Sequence, residues 1–333
     1  MKTIGLTYDL KTDYQLKDGD PPDAHAEFDH PSTIDIIASA IESQGFKLKR
    51  IGNVSCLLDK IDNLGVDMVF NISEGIRGRN RESQVPILLE MGGIPFVGAD
   101  ALTLGLTLDK IMAKKIFIAE GIPTPRYLEI RSVDEMINSD HLNFPLIVKP
   151  RFEGSSKGLS ERSRVENLEE LKRQAEFIIK TYREPALVEE FIRGEEFTVA
   201  LVGNEPAEVF PPVQIKIDGE LKLNDMFYTF SRISSEKLEY VCPALISPDL
   251  NKKISDIALK VYRAVECRDF GRVDFRVDNE GNPYVLEINP LPCLSTEDVF
   301  MTIAKAIGVT YEDMIGKILK AAFNRYDLGA AVN

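Results

Sequence analysis

The stretch Asp269-Phe270-Gly271-Arg272-Val273-Asp274-Phe275, answered after a turn by Val285-Leu286-Glu287-Ile288-Asn289-Pro290, reads as a β-hairpin with its chemistry on one face. The segment Asn279-Glu280-Gly281-Asn282 between them is a four-residue hairpin loop. Pairing outward from it sets Asp278 opposite Pro283, Phe275 opposite Leu286, Asp274 opposite Glu287 and Arg272 opposite Asn289. Strand side chains alternate faces, so Arg272, Asp274, Glu287 and Asn289 share one face. Val273, Phe275 and Ile288 share the other, which is core. Two directly opposed carboxylates repel, so something positive belongs between them. Oxygens from Asp, Glu and Asn suit Mg²⁺, which commonly binds through one or two carboxylates plus substrate phosphates. The competing interpretation is a salt-bridged strand pair balanced by Arg272.

Working outward, 333 residues allow two or three domains around a large core. Hydrophobic residues make up 44% and charged residues 28%, ordinary values for a soluble globular chain. A net charge of −13 argues against general nucleic-acid binding and against an anionic membrane surface. An anionic substrate therefore needs local positive charge. Cys56, Cys242, Cys267 and Cys293 are scattered without a CxxC pair, which fits reduced thiols in a cytoplasmic protein. Neither a signal peptide nor a membrane span is expected.

The first ~100 residues alternate strand and helix signals, implying a mostly parallel sheet. Ile4 to Tyr8, Lys47 to Ile51 and Met68 to Asn71 are strands. Ser32 is positioned to cap a helix carrying Ile34, Ile37, Ala38 and Ile41 at helical spacing. Lys11 to His30 interrupts this rhythm as a long charged loop, a length that is usually functional or mobile. Further on, Lys149-Pro150-Arg151-Phe152-Glu153-Gly154-Ser155-Ser156-Lys157-Gly158 follows a strand. Its glycines let backbone N–H groups approach an anion, and its serines add donors. This is not the GxxxxGK[ST] phosphate motif, and alone it equally describes a Gly-Ser hairpin. The run from Leu187 to Thr198 is strand, acidic turn, strand. It suits either a hinge receiving adenine and ribose or a solvated turn.

These pieces occur in a familiar order: Asp109-Lys110, then Gly121-Ile122-Pro123-Thr124-Pro125, then Phe144 to Pro150 with Glu153 to Ser156, then the Glu189 segment, then Arg272 and Asp274 with Glu287 to Asn289. The chain resembles the D-alanine–D-alanine ligase branch of the ATP-grasp superfamily over nearly its whole length, most strongly from about residue 95 to 295. The resemblance implies an α/β fold, α+β in the ATP-grasp region, with three domains. These are an N-terminal parallel-sheet domain (1–100), a central ATP-grasp subdomain with the Gly/Ser loop (101–185) and a C-terminal ATP-grasp subdomain with the hairpin (186–333). It implies that ATP lies between the last two. Lys110 and Lys149 match the family's phosphate lysines, and Glu189, Glu190 and Ile192 its adenine hinge. Glu196 matches its ribose carboxylate. Ser155 and Ser156 match its phosphate loop, and Ser155 also its serine near the substrate amine. Asp274, Glu287 and Asn289 match the Mg²⁺ ligands (Mn²⁺ being a possible substitute), and Arg272 the oxyanion-stabilising arginine. The implied partners are small amino-acid or peptide substrates and a second copy of the chain.

The family pattern breaks on the substrate side. Its GGxSxE signature is absent, and Glu27 in Ala24-His25-Ala26-Glu27-Phe28-Asp29 is the residue able to take the glutamate role. The family's loop Lys-Tyr pair becomes Arg232-Ile233, so the charge survives and the tyrosine does not, with Tyr228 as a substitute. The Gly after Pro292 is Cys293, and Asp298 falls near a serine that binds the second substrate's carboxylate. An anion there disfavours a free carboxylate, unless Asp298 simply caps the next helix. Arg77, Arg79 and Arg81 offer positive field for a carboxylate substrate, a dimer contact or solvated charge. The expected activity is carboxylate–amine ligation through an acyl phosphate. A non-catalytic ATP-binding sensor and a carboxylate kinase are the alternatives.

Overall fold

A computed structural model describes residues 1–133, 139–233, 235 and 237–329. In chain order the N-terminal part contains β1 (Thr3–Tyr8), α1 (Pro31–Ser43), β2 (Lys47–Gly52), α2 (Val54–Leu58), β3 (Met68–Ile72), α3 (Gln84–Met91) and β4 (Phe96–Val97). Its four strands pair in the order β2-β1-β3-β4, all parallel. Every residue of β3 is buried, as expected for a parallel strand covered on both faces. The cap of α1 differs from the expected Ser32. His30 is the N-cap and Pro31 opens the first turn, where its fixed φ and missing N–H are no handicap.

Helices α4 (Ala101–Leu108) and α5 (Lys110–Ala119) lead into β5 (Tyr127–Ile130), β6 (Leu146–Pro150), β7 (Arg164–Val165), α6 (Leu168–Tyr182) and β8 (Ala186–Glu190). These strands form an antiparallel sheet in the order β5-β8-β6-β7. The remaining elements are β9 (Gly194–Val202), β10 (Glu208–Val209), β11 (Val213–Ile217), α7 (Phe230–Ile233), β12 (Leu238–Val241), α8 (Pro248–Ala264), β13 (Phe270–Asp278), β14 (Pro283–Asn289), α9 (Val299–Ile307) and α10 (Tyr311–Arg325). Strands β12-β11-β9-β13-β14 form a second antiparallel sheet, with β10 also on β9. The expected hairpin is β13–β14.

The turn from β8 to β9 joins the two antiparallel sheets. Gly194 sits there at φ 148°, and a Cβ on it would lie 1.9 Å from the Val277 carbonyl oxygen, so only glycine lets the chain pass this close to β13. Helices α9 and α10 return to the N-terminal sheet. Their Phe300, Ile303, Ile315, Ile318 and Phe323 share one core with Ile4, Leu6, Ile37 and Phe70. Among the described residues no helix is long and apolar enough to cross a membrane.

Candidate active site

The hairpin keeps the expected pairs at its chemical end, Arg272 with Asn289 and Asp274 with Glu287. Beyond them the register slips: Phe275 faces Val285 instead of Leu286, and Val277, not Asp278, faces Pro283. Asp278 is drawn into the turn, where its Oδ1 accepts the N–H groups of Glu280 at 2.9 Å and Asn282 at 2.8 Å. The residue gained is absorbed as a bulge after Asp274.

On the shared face, Arg272 lays its guanidinium along Asp274, with Nε–Oδ1 at 3.0 Å and Nη2–Oδ2 at 3.1 Å. The Asn289 amide donates to Asp274 Oδ2 at 2.9 Å. The remaining guanidinium nitrogen, Nη1, is 3.6 Å from Asp298. Glu287 is 3.1 Å from Lys110 Nζ, which also donates to the Glu153 carbonyl at 2.6 Å. Burial works against the Glu287 carboxylate, but Lys110 and Lys149 more than offset it and hold it down to about 2. Asp274 moves the other way, because burial outweighs Arg272 and Glu287 adds to the rise. Opposed shifts are what two neighbouring carboxylates produce when one stands in the stronger field of cations.

Lys149, at the end of β6, is 2.6 Å from Glu189 Oε2, while the other carboxylate oxygen is 2.5 Å from Lys114. Glu189 is therefore a buried ion-pair centre. The Glu190 carboxylate accepts from Arg126 Nε at 2.9 Å and from the Asn143 N–H at 2.7 Å. Glu196 Oε2 accepts from Arg276 at 3.0 Å, and Arg276 Nε donates to the Ile192 carbonyl at 3.0 Å.

In the Gly/Ser loop, Ser155 and Ser156 adopt left-handed φ of 47° and 54°. The two glycine N–H groups meet carboxylates from the 11–30 loop. Gly154 donates to Glu27 at 2.6 Å and Gly158 to Asp23 at 2.8 Å. Arg81 and Lys157 each reach Glu27 at 2.9 Å. They outweigh the burial penalty and bring its carboxyl down to about 2. Of the three arginines, Arg81 joins this cluster, Arg79 pairs with Asp109 at 2.6 Å and Arg77 is exposed. Arg232 is 2.9 Å from both Glu161 and the Phe227 carbonyl. Tyr228 donates to the Tyr240 hydroxyl at 3.3 Å. Asp298 caps α9 through the Val299 N–H at 2.6 Å.

Reasoning from sequence missed Lys114, Arg276 and Lys157. Two had a signal: Lys114 is one helical turn after Lys110, and Arg276 alternates onto the face of Arg272 and Asp274. Among the described residues no three His, Cys, Asp or Glu side chains converge as a metal cluster. The oxygen set on the hairpin is two carboxylates and one amide.

A family model described as the D-Ala–D-Ala ligase C-terminus matches residues 116–320. An uncharacterised protein, y4sG, of Sinorhizobium fredii is 39% identical over 259 residues, covering 78% of this chain and 75% of that one. A D-alanine–D-alanine ligase of Carboxydothermus hydrogenoformans is 33% identical over 297 residues, covering 86% of this chain and 91% of the relative. In fold, the chain is similar to a Bacillus anthracis D-alanine–D-alanine ligase solved in complex with ATP. That match has a TM-score of 0.75 at 22% identity over 99% of this chain and 100% of that one. The VanG D-Ala:D-Ser ligase of Enterococcus faecalis matches with a TM-score of 0.72 at 22% identity over 96% and 99%. The chain belongs to the D-alanine–D-alanine ligase family of ATP-grasp enzymes, ATP-dependent ligases that form carbon–nitrogen bonds.

Proposed function

We propose that this enzyme joins an amino acid or peptide carboxylate to an amine through an acyl-phosphate intermediate, giving a dipeptide or related amide. The observation that carries this is Arg272 held on the same hairpin face as Asp274, Glu287 and Asn289, with Lys110 against Glu287. Nucleotide binding alone has no use for a half-buried guanidinium at the end of a phosphate-handling face.

In the proposed reaction a substrate carboxylate oxygen attacks the γ-phosphorus of ATP and ADP leaves. The amine nitrogen then attacks the acyl carbon. A C–N bond forms, the C–O bond to phosphate breaks, and inorganic phosphate departs as the nitrogen loses a proton. Lys110 and Lys149 supply charge to the phosphates, with Ser155 and Ser156 donating from the loop. The backbone of Glu189, Glu190 and Ile192 borders the adenine and Glu196 the ribose, with Glu196 oriented by Arg276. Arg272 donates to the oxygen that becomes negative on the acyl carbon. Glu27 and Ser155 lie where the donor's amine is received, and Arg232 closes the rim. The hard oxygens of Asp274, Glu287 and Asn289 fit Mg²⁺, or Mn²⁺ in its place. When bound, the ion neutralises charge on the transferring phosphoryl group.

The proposed domain limits are 1–100, 101–185 and 186–333. We further place the enzyme in the cytoplasm as a homodimer. Met91 and Leu102, 80% and 75% exposed on the neighbouring helices α3 and α4, support the dimer.

Hydroxylamine traps acyl phosphates as hydroxamates, so ATP, Mg²⁺, hydroxylamine and a panel of D- and L-amino acids test the reading. Carboxylate-dependent hydroxamate with stoichiometric ADP is expected. Absence of both hydroxamate and phosphate across the panel would sink the ligase assignment.

A further inference from the structure

The Gly/Ser loop after β6 turns on two serines. The Lys157 N–H donates to the Gly154 carbonyl at 2.9 Å and closes a tight turn. Its central residues, Ser155 and Ser156, both have left-handed φ, 47° and 54°. Turns of that hand are normally built from Asn and Gly, because a Cβ at positive φ crowds the following carbonyl oxygen. Two serines in succession keep such a backbone only where their surroundings over-determine it. Here the restraint comes from the 11–30 loop and acts on both flanks. Glu27 takes the N–H of Gly154, one residue before the serines, at 2.6 Å, and Asp23 takes the N–H of Gly158, two residues after them, at 2.8 Å. Among the described residues the N–H groups of Ser155 and Ser156 themselves have no hydrogen-bond partner, which leaves them for an anion.

The two anchors differ. Glu27 is also held by Arg81 and Lys157 and stands among the groups proposed to receive substrate. Asp23 is 5% exposed and meets neutral donors. Beside the Gly158 N–H, its two carboxylate oxygens lie 2.9 and 2.8 Å from the hydroxyl of Tyr182, the last residue of α6. Gly158 has little room to settle elsewhere: at φ 76° a Cβ on it would lie 2.6 Å from the Pro150 ring and 3.2 Å from the Tyr182 ring. The end of β6, the end of α6 and the 11–30 loop therefore meet at Gly158, and Asp23 bonds them together. Resting on the reading of this loop as the one that holds the nucleotide phosphates, we infer that Asp23 is a positioning residue for ATP. Through Gly158 it keeps Ser155 and Ser156 in the left-handed turn that presents them to the phosphates, without touching the nucleotide itself. What the role requires is an acceptor for Gly158 and a partner for Tyr182, not a negative charge. An amide fills it, because its oxygen accepts from Gly158 and its NH₂ donates to the Tyr182 hydroxyl.

Mg²⁺–ATP is titrated calorimetrically into the whole chain as wild type, Asp23→Ala, Asp23→Asn and Tyr182→Phe, and backbone amide exchange of residues 154–158 is followed without nucleotide. Asp23→Ala is expected to weaken ATP at least tenfold and to speed exchange in the loop. Asp23→Asn should bind within threefold of wild type with exchange restored, and Tyr182→Phe should bind at least threefold more weakly. A merely structural role would move the thermal midpoint and leave ATP affinity in place. A loss below tenfold in Asp23→Ala, a loss beyond threefold in Asp23→Asn, or weaker binding without faster exchange overturns the inference. If Asp23→Ala does not fold, a loss below threefold in Tyr182→Phe overturns it. In each of these cases wild-type hydroxamate formation leaves the ligase assignment standing. Absence of ATP binding by the wild type overturns the nucleotide reading of the loop, and this inference with it.

Discussion

Lys114 is fully buried, with Nζ 2.5 Å from Glu189 Oε1 and 2.6 Å from the Thr124 hydroxyl. Burial pulls its pKa down despite Glu189. Lys149 reaches the other oxygen of the same carboxylate, so one buried anion orders two lysines and fixes where Lys149 emerges beside the Gly/Ser loop. Lys114→Met removes one cation and leaves Glu189 undercompensated. The expected cost is about 3 kcal/mol, read as a lower urea midpoint with unchanged m-value. Adding Glu189→Gln should recover part of it, because the stranded charge goes too; a shift below about 1 kcal/mol in the single variant would count against the pair as a structural anchor. Arg272 tests chemistry instead. Arg272→Ala should lower kcat for amide formation by about 10²- to 10³-fold, the range for removing one oxyanion donor, while ATP binding by calorimetry stays within a few-fold. Equal loss of binding and turnover would reassign Arg272 to the nucleotide.

The loop between β1 and α1 and the Gly/Ser loop after β6 meet only in the tertiary structure, through Asp23 and Glu27. Glu27 accepts from Gly154, Arg81 and Lys157, and its folded pKa of about 2 lies below the ordinary value of 4.5. A depressed carboxyl contributes stability above its unfolded pKa and loses it as pH falls toward the folded one. The stability difference between wild type and Glu27→Gln should therefore be level from about pH 5 to 8 and shrink between about pH 4 and 2. Its plateau should be about 2–3 kcal/mol. Thermal melts of both proteins across that range check it, and a difference that grows on acidification would contradict it. Nothing in the sequence marks this meeting, since no spacing or period links Glu27 to Gly154. The hairpin was legible because alternation is a local rule. The register prediction failed only where Asp278 turned inward to bind its own loop. Pro31 was a helix-start signal that outranked Ser32. The residues proposed for the phosphate face were picked out by their order along the chain, but the buried cations behind them were not, because burial is a tertiary property.

At the scale of the molecule, α9 and α10 pack back into the core of the N-terminal sheet. Phe323 stacks on Phe46 with ring centroids 5.2 Å apart, and α10 packs along α1. Sequence order alone would have each domain close on itself, whereas here α9 and α10 share one core with the N-terminal sheet and with Ala200, Val202 and Phe270 of the hairpin sheet. Arg325 lies at this junction. Its Nη2 donates to Asp269 at 2.6 Å, to the Phe96 carbonyl at 2.7 Å and to the Gly98 carbonyl at 3.3 Å. Asp269, fully buried, also accepts from the Gly98 N–H at 2.9 Å and from Asn204 at 3.0 Å. It lies three residues before Arg272, at a left-handed φ of 64°. Arg325→Ala leaves this carboxylate buried with neutral donors only, at an expected cost of about 3–5 kcal/mol. Because the strain falls at the root of β13, amide formation should drop together with the thermal midpoint. Pairing it with Asp269→Asn removes the stranded charge and keeps the donors satisfied, so the double variant should be more stable than Arg325→Ala alone. If the double variant is less stable than Arg325→Ala, the charge pair with Asp269 is not what stabilises this junction, and the apolar core in which Phe70 meets Phe270 carries it.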